Sequence, residues 1–208
     1  SVVADQVIVA TNGFTRDDLH KRFSGIVLPV ISNILTTRPL SADELDWYNW
    51  RTENPICNTR TLLFYYRLLK DKRILFGARG DLSGSLNASD RMRRFMTKRF
   101  YELFPRWRAV SFSHFWRGFV CVTRRLTPCV GKLENDPSVW YGFGYHANGV
   151  NTAAWVGRAL ARNLAGDKSD AVHIPEIMSG LATPFPLPRL RLWGLRAAYI
   201  YYQLRDAW

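Results

Sequence analysis

The sequence predicts an α+β fold built on hairpin-connected strands. Two observations carry this. Short β-branched apolar runs and longer stripes of helical period are mixed along the chain, and no strand–helix–strand alternation repeats, which argues against a doubly wound parallel sheet. Hydrophobic residues make up 47% of the 208, enough for a real core and against disorder.

Taken in order, residues 4–11 are apolar and β-branched and stop at Asn12-Gly13, the pattern of a buried strand feeding a tight turn. Residues 26–37 form a second β-rich run. Pro29 has no N–H for a ladder, so that point is a strand start or an edge. Residues 43–50 suit a short helical turn or a loop. Over residues 60–78 two apolar runs flank the polar tip Lys70-Asp71-Lys72, as in a β-hairpin. Gly77, Gly80, Ser83, Gly84 and Ser85 then mark a loop.

Residues 90–104 carry Met92, Phe95, Met96, Phe100 and Leu103 at helical spacing and meet Pro105 at the end. That register turns Arg91, Arg93, Arg94, Lys98 and Arg99 outward. Residues 110–122 alternate loosely and are interrupted by Gly118, which predicts a strand with a bend or bulge. Residues 139–145 form a short aromatic strand that turns into a helix over residues 150–164, closed by Gly166. Residues 170–188 hold Pro175, Pro184, Pro186 and Pro188 and are irregular; residues 190–207 make a final amphipathic helix.

Lys plus Arg is 29 against 17 for Asp plus Glu, a net +12, and aromatics are 14%. Basic and aromatic together are the footprint of a nucleic-acid binder. Here the basic residues are spread over several elements and the aromatics alternate with aliphatics as core residues do, so no specific nucleic-acid partner is expected. Cys57, Cys121 and Cys129 are too few and too scattered for a disulfide framework or a zinc site, which suits a reducing, cytoplasmic location. Charged residues cut every apolar stretch short of the ~18 residues of a membrane span. A membrane-surface contact stays open: Arg189, Arg191 and Arg196 with Leu190, Leu192, Trp193, Leu195, Tyr199 and Tyr201 make either a basic interfacial helix or one docked on its own domain.

Gly142-Phe143-Gly144-Tyr145-His146-Ala147 fits G-x-G-x-x-[GA] between a strand and a helix. A dinucleotide fingerprint also needs an acid about 20 residues on, at the end of a second parallel strand. Asp167 instead follows a helix and Gly166. Two readings remain. One is a helix N-terminus whose free N–H groups suit a phosphate or an electron-rich cofactor ring; the other is a plain strand–turn–helix connection.

Four segments, in order, resemble the C-terminal portion of the D-amino-acid-oxidase-like FAD-dependent oxidoreductases, nearest their gamma-glutamylputrescine oxidoreductase branch. The first is Ala4-Asp5-Gln6-Val7-Ile8-Val9-Ala10-Thr11-Asn12-Gly13, similar to the strand and turn beside the cofactor. Arg73-Ile74-Leu75-Phe76-Gly77 resembles a substrate-domain strand, and Trp116-Arg117-Gly118 through Thr123, Pro128 and Gly131 resembles the W-x-G…T…P…G block. Gly144-Tyr145-His146-Ala147-Asn148-Gly149-Val150-Asn151 is similar to the G-[FY]-S-G-H-G loop before the last flavin-domain helix, and the tail from Tyr199 to Trp208 to the Y-Y-x-L-R-D ending.

The resemblance implies oxidation of a C–N bond in a small amine or amino-acid substrate by hydride transfer to non-covalent FAD. It implies an incomplete enzyme: the pyrophosphate-gripping G-x-G-x-x-G and the ribose acid are not among these residues, so the N-terminal FAD-binding half is a missing partner. The isolated chain is then expected to be inactive and without FAD. Residues 1–24 and 128–169 would belong to the FAD-binding domain, residues 25–127 to a substrate-binding domain with a mixed or antiparallel sheet, and residues 170–208 to a C-terminal segment and helix. Thr11, Asn12, Gly13, Gly144, Asn148, Gly149, Val150 and Asn151 fall at the cofactor. His146 is the candidate acid–base residue, or an exposed loop histidine. Trp116 is a candidate pocket wall, and Arg125, with Arg124, a candidate for a substrate carboxylate or a solvated strand end. Phe64, Tyr65 and Tyr66 either wall an amine pocket or fill the core.

Departures from the family pattern sit in the same loop. Ala147 replaces the middle glycine, where φ > 0 is unfavourable for alanine, and Asn148 replaces the histidine. Cys121 lies two residues before Thr123 where the covalent-flavin cysteine lies three before, and a one-residue slip reverses the face, so no covalent flavin is expected. Without the resemblance, the alternative is a basic domain that binds nucleic acid or a membrane surface and catalyses nothing.

Overall fold

The computed structural model describes residues 2–166 and 172–206. In chain order the elements are β1 (Val7–Val9), β2 (Val27–Thr37), α1 (Ala42–Asp46), β3 (Ile56–Cys57), β4 (Phe64–Leu68), β5 (Ile74–Arg79), α2 (Leu86–Leu103), β6 (Phe112–Thr123), β7 (Cys129–Lys132), β8 (Val139–Phe143), α3 (Gly149–Ala165) and α4 (Arg191–Arg205). The class is the predicted one, mixed α+β with one mixed and one largely antiparallel sheet. Two compact units divide the chain: Ser1–Val30 with Phe119–Leu192, and Ile31–Gly118 with Trp193–Trp208.

In the first unit the sheet order is β1-β8-β7. β1 runs parallel to β8, pairing Val7 with Val139 and Val9 with Tyr141, while β7 runs antiparallel to it. Only residues 7–9 of the predicted first run find this partner, so β1 is shorter than its apolar stretch. Phe23 seats its ring edge against Tyr141 and Phe143 at 5.7 and 5.6 Å, in a core shared with Val9, Cys121 and Cys129. Val156 and Leu160 of α3 bury against Val130 and Tyr145.

In the second unit the order is β3-β4-β5-β2-β6. β4 and β5 form the predicted hairpin, with Phe64 opposite Ala78 and Leu68 opposite Ile74. Its tip closes through the Leu69 N–H to Arg73 carbonyl bond at 2.8 Å. Alternation turns Leu35, Phe64, Ile74, Phe76 and Ala78 to one face, where Met92, Met96 and Phe100 of α2 cover them. Met96 and Phe100 are wholly buried, and each contributes about 1.5–3 kcal/mol by leaving water. Trp107 closes the end of this core and donates its indole N–H to the Glu44 carbonyl at 2.8 Å.

One predicted boundary changes and two short strands are added. α2 begins at Leu86, not near residue 90, because Ser85 caps it by accepting from the Ala88 N–H at 3.2 Å. β6 continues through Gly118, where the sequence suggested a bend or bulge. β3 and β7 are two- and four-residue strands too short to carry a period. Pro29 does sit at the start of β2, ahead of the Ser32–Thr36 stretch that pairs with β5.

α4 is docked at its end rather than free along its length. Asp206 accepts from the Thr61 and Leu62 N–H groups at 3.0 and 2.8 Å, Arg205 bonds the Thr61 hydroxyl, and Tyr199 is buried. Of the proposed interfacial stripe, Tyr199 turns inward and Arg191 pairs with Asp17 at 2.8 Å; Trp193 and Tyr201 are exposed. No helix among the described residues is long and apolar enough to cross a membrane. Asp167 and the last two residues of the tail motif, Ala207 and Trp208, lie outside the described residues.

Candidate functional site

The first unit brings the two cofactor-loop segments of the sequence together. β8 ends at Phe143, and Gly144 follows with φ +85. A Cβ there would stand 2.6 Å from the Thr123 methyl, so both backbone and space require glycine. The Gly144 N–H donates to the Asn12 side-chain carbonyl at 3.1 Å, across 132 residues of chain. Asn12 itself is left-handed at φ 45, a conformation its short polar side chain tolerates. The Thr11 and Thr15 hydroxyls bond at 2.8 Å, Thr15 donates to the Asn12 carbonyl at 2.7 Å, and Gly13 packs on the Phe119 Cβ. Thr11, Asn12 and Gly13 are thus a tied turn under the glycine loop.

His146 and Ala147 continue the loop with φ of 50 and 74, two successive non-glycine residues in the left-handed region. The His146 N–H donates to the Cys121 carbonyl at 3.2 Å. Its ring Nε2 takes the Thr123 N–H at 3.3 Å, while the Thr123 hydroxyl gives its hydrogen to the Thr127 carbonyl at 2.8 Å. The ring nitrogen therefore acts as an acceptor that fastens the loop to β6. Thr123, fully buried, is the residue that sequence reasoning missed here. Its only signal was its place in the T…P…G block.

The loop delivers the chain to α3. Asn148 occupies the N-cap position without a side-chain cap bond, and the first turn holds no acid. The Asn151 and Thr152 N–H groups reach back to the Asn148 carbonyl at 3.3 and 3.0 Å. Those of Gly149 and Val150 stand ahead of the first intrahelical bonds. Val150 is 100% exposed. These residues fit a flavin: an uncapped end of a 17-residue helix supplies N–H donors and the positive dipole end to an electron-rich ring edge, and Val150 offers it an apolar contact. Among the described residues no cluster of His, Cys, Asp or Glu is arranged to hold a metal ion. Burial pushes the Cys121 thiol up to about 12, so it is an inert core group.

The candidate substrate residues are placed differently. Arg125 donates to the carbonyls of Pro128, Met178, Ser179 and Gly180, and so fastens residues 178–180 to the turn after β6. These bonds engage its two terminal guanidinium nitrogens with backbone, while Nε is buried without a partner. Trp116 lies on β6 in the second unit with 46% of its surface exposed. His114, on the same strand, bonds the Ser113 hydroxyl through Nδ1 at 2.9 Å. Phe64 and Tyr66 pack in the core, whereas Tyr65 points to the opposite face of the sheet and bonds Ser32.

Comparison with known proteins agrees with this geometry. The FAD dependent oxidoreductase family, DAO, matches residues 1–163. Gamma-glutamylputrescine oxidoreductase of Escherichia coli is 32% identical over 212 residues, covering 99% of this chain and 46% of that protein. The probable oxidoreductase OrdL of Haemophilus influenzae is 30% identical over 188 residues, covering 86% and 42%. Among solved structures, glycine oxidase from Geobacillus kaustophilus shares the fold with a TM-score of 0.64 at 16% identity, over 88% of this chain and 46% of that one. Iminodiacetate oxidase from Chelativorans gives 0.62 at 17%, over 88% and 48%. The chain spans under half the length of these relatives. With a match over residues 1–163, and with the strand-end turn and glycine loop joined before an uncapped helix, the chain belongs to the DAO family of FAD-dependent oxidoreductases.

Proposed function

We propose that this chain forms the C-terminal part of an enzyme that oxidises the C–N bond of an amine or amino acid using non-covalent FAD. The observation that carries the reading is the bond between Asn12 and Gly144, which sets the turn at residues 11–13 under the loop that opens α3. Bound flavin would accept the hydride and pass the electrons on. Thr11, Asn12, Gly13 and Gly144 would shape the cradle. The N–H groups of Gly149 and Val150, with Asn148 and Asn151 beside them, would hold the ring edge where negative charge grows. His146 would keep the loop in place through its Nε2 bond to β6. Trp116, half exposed, would contact substrate. The names of relatives support the substrate class, since they act on glycine, iminodiacetate and gamma-glutamylputrescine. The free cysteines suit a cytoplasmic setting.

The same reading makes the chain inactive alone, because half of the flavin contacts would come from an N-terminal segment. Visible flavin absorbance after purification tests this, on the chain alone and on the chain joined to an N-terminal FAD-binding half. The expected result is no flavin spectrum alone and a flavin spectrum, bleached by an amine substrate, for the joined protein. A joined, folded protein that never retains flavin sinks the proposal.

A further inference from the structure

The outer face of α2 carries more positive charge than the helix itself can use. Arg91, Arg94 and Lys98 follow one another at i, i+3 and i+7, a row about 10 Å long, and Arg93 flanks it. All four are exposed. Lys98 shares Glu102 with Arg99, at 3.8 and 2.7 Å. Arg91, Arg93 and Arg94 have no hydrogen bond and no ion pair among the described residues.

This charge works against the helix. Like charges three and four residues apart repel, and a helix gains from acids in its first turn and cations in its last. α2 has neither: its three unpaired arginines sit in the N-terminal half, and Glu102 sits in the last turn. Nor can this face turn inward, because Ala88, Met92, Met96 and Phe100 are buried on the other side. The side chains of Asp90, Arg93, Arg94, Thr97 and Lys98 line a shallow cavity of about 440 Å³, to which no other element contributes an acid.

The surroundings select the kind of partner. Long side chains in water make weak single bonds, so a lone small anion gains little here and a row of linked anions gains most. Duplex nucleic acid is held through about 6–10 phosphates, more than this row offers, and single strands need aromatic platforms. Phe95 lies under the Arg99 guanidinium, 5.6 Å from its ring centroid, and Tyr101 is tied to the Val110 carbonyl at 2.8 Å. A lipid surface needs apolar side chains to insert between the cations, and the cavity lining has none. Asp90 repels a uniform polyanion but can meet a lysine or arginine in a segment of mixed charge.

We propose that the outer face of α2 docks an acidic helix of a partner protein. Carboxylates one turn apart meet Arg91, Arg94 and Lys98, and Arg93 takes one beside the row. The net charge of +12 draws such a partner in from solution. None of this rests on the flavin reading.

The test is fluorescence anisotropy of a labelled Ala-rich helical peptide with glutamates at i, i+3 and i+7 and one lysine on the same face. The comparison probes are a peptide of the same composition with its charges spread around the helix, a duplex DNA, and phosphatidylserine vesicles. The first peptide should bind the full chain saturably, and the spread peptide at least tenfold more weakly. Arg93→Glu with Arg94→Glu should weaken binding at least tenfold. Lys21→Glu with Arg22→Glu, the same change of charge at exposed residues of the first unit, should alter it less than twofold. Arg93→Gln with Arg94→Gln should give an intermediate loss with an unchanged circular dichroism spectrum, which separates lost docking from lost folding. Absent binding, equal binding of the two peptides, or equal loss in the two charge reversals overturns the proposal. Tighter binding of DNA or vesicles through the same arginines overturns it too.

Discussion

At the scale of single residues, strain and satisfaction can be assigned to named atoms. Ala147 holds φ 74, which costs an L-residue roughly 1–2 kcal/mol that glycine avoids. Part of that returns as backbone entropy, so Ala147→Gly should stabilise the chain by about 1 kcal/mol, a rise of roughly 2–4 °C in the melting midpoint. An unchanged or lower midpoint would show that the loop does not carry this strain. Arg125 makes the opposite case. Four carbonyls depend on its fork, and lysine cannot span them. Arg125→Lys should cost about 2 kcal/mol or more in urea unfolding, by leaving acceptors unpaired. If the substitution is neutral in stability, the fastening role assigned to Arg125 is wrong.

At the scale of elements, α1 shows how short structure is held. Ser41 and Glu44 make a reciprocal capping box, and Glu44 also takes two bonds from Arg38 at 2.6 and 2.8 Å. The Arg38 bond, ahead of the backbone at Ser41, lowers the Glu44 pKa from 4.5 to about 2. A depressed carboxyl stabilises the fold above its unfolded pKa and loses that contribution as pH falls through the folded one. Unfolding midpoints should therefore fall more steeply for the parent than for Glu44→Gln between pH 4.5 and about 2. Parallel curves would mean the pair contributes nothing. The hairpin β4–β5 and the stripe of α2 were legible in sequence because turn chemistry and period are local signals. The start of α2 was not, since Ser85 caps it beside glycines that look like loop. β7 was not legible either; its four residues pair only because β8 lies alongside.

At the scale of the whole molecule, the first unit exposes apolar surface at Val7 and Ile8 on its edge strand β1, at Phe14 in the turn that follows, and at Val150 in the first turn of α3. That pattern is why the flavin experiment above contrasts the chain alone with the joined protein. The net charge of +12 takes a different meaning in this light: several arginines are structural, among them Arg117 on Asp81 and Arg191 on Asp17. The sequence by itself determined the class of the fold, its hairpin and main helices, and the order of segments that mark the family, because each depends on neighbours in the chain. Only the tertiary structure decided which polar groups are satisfied. Asn12 reaches Gly144 across 132 residues, and Arg125 closes on carbonyls 53 to 55 residues away. No local pattern encodes such pairings, since packing sets the distance between groups far apart in the chain and a buried polar group is defined by what stands within hydrogen-bond reach.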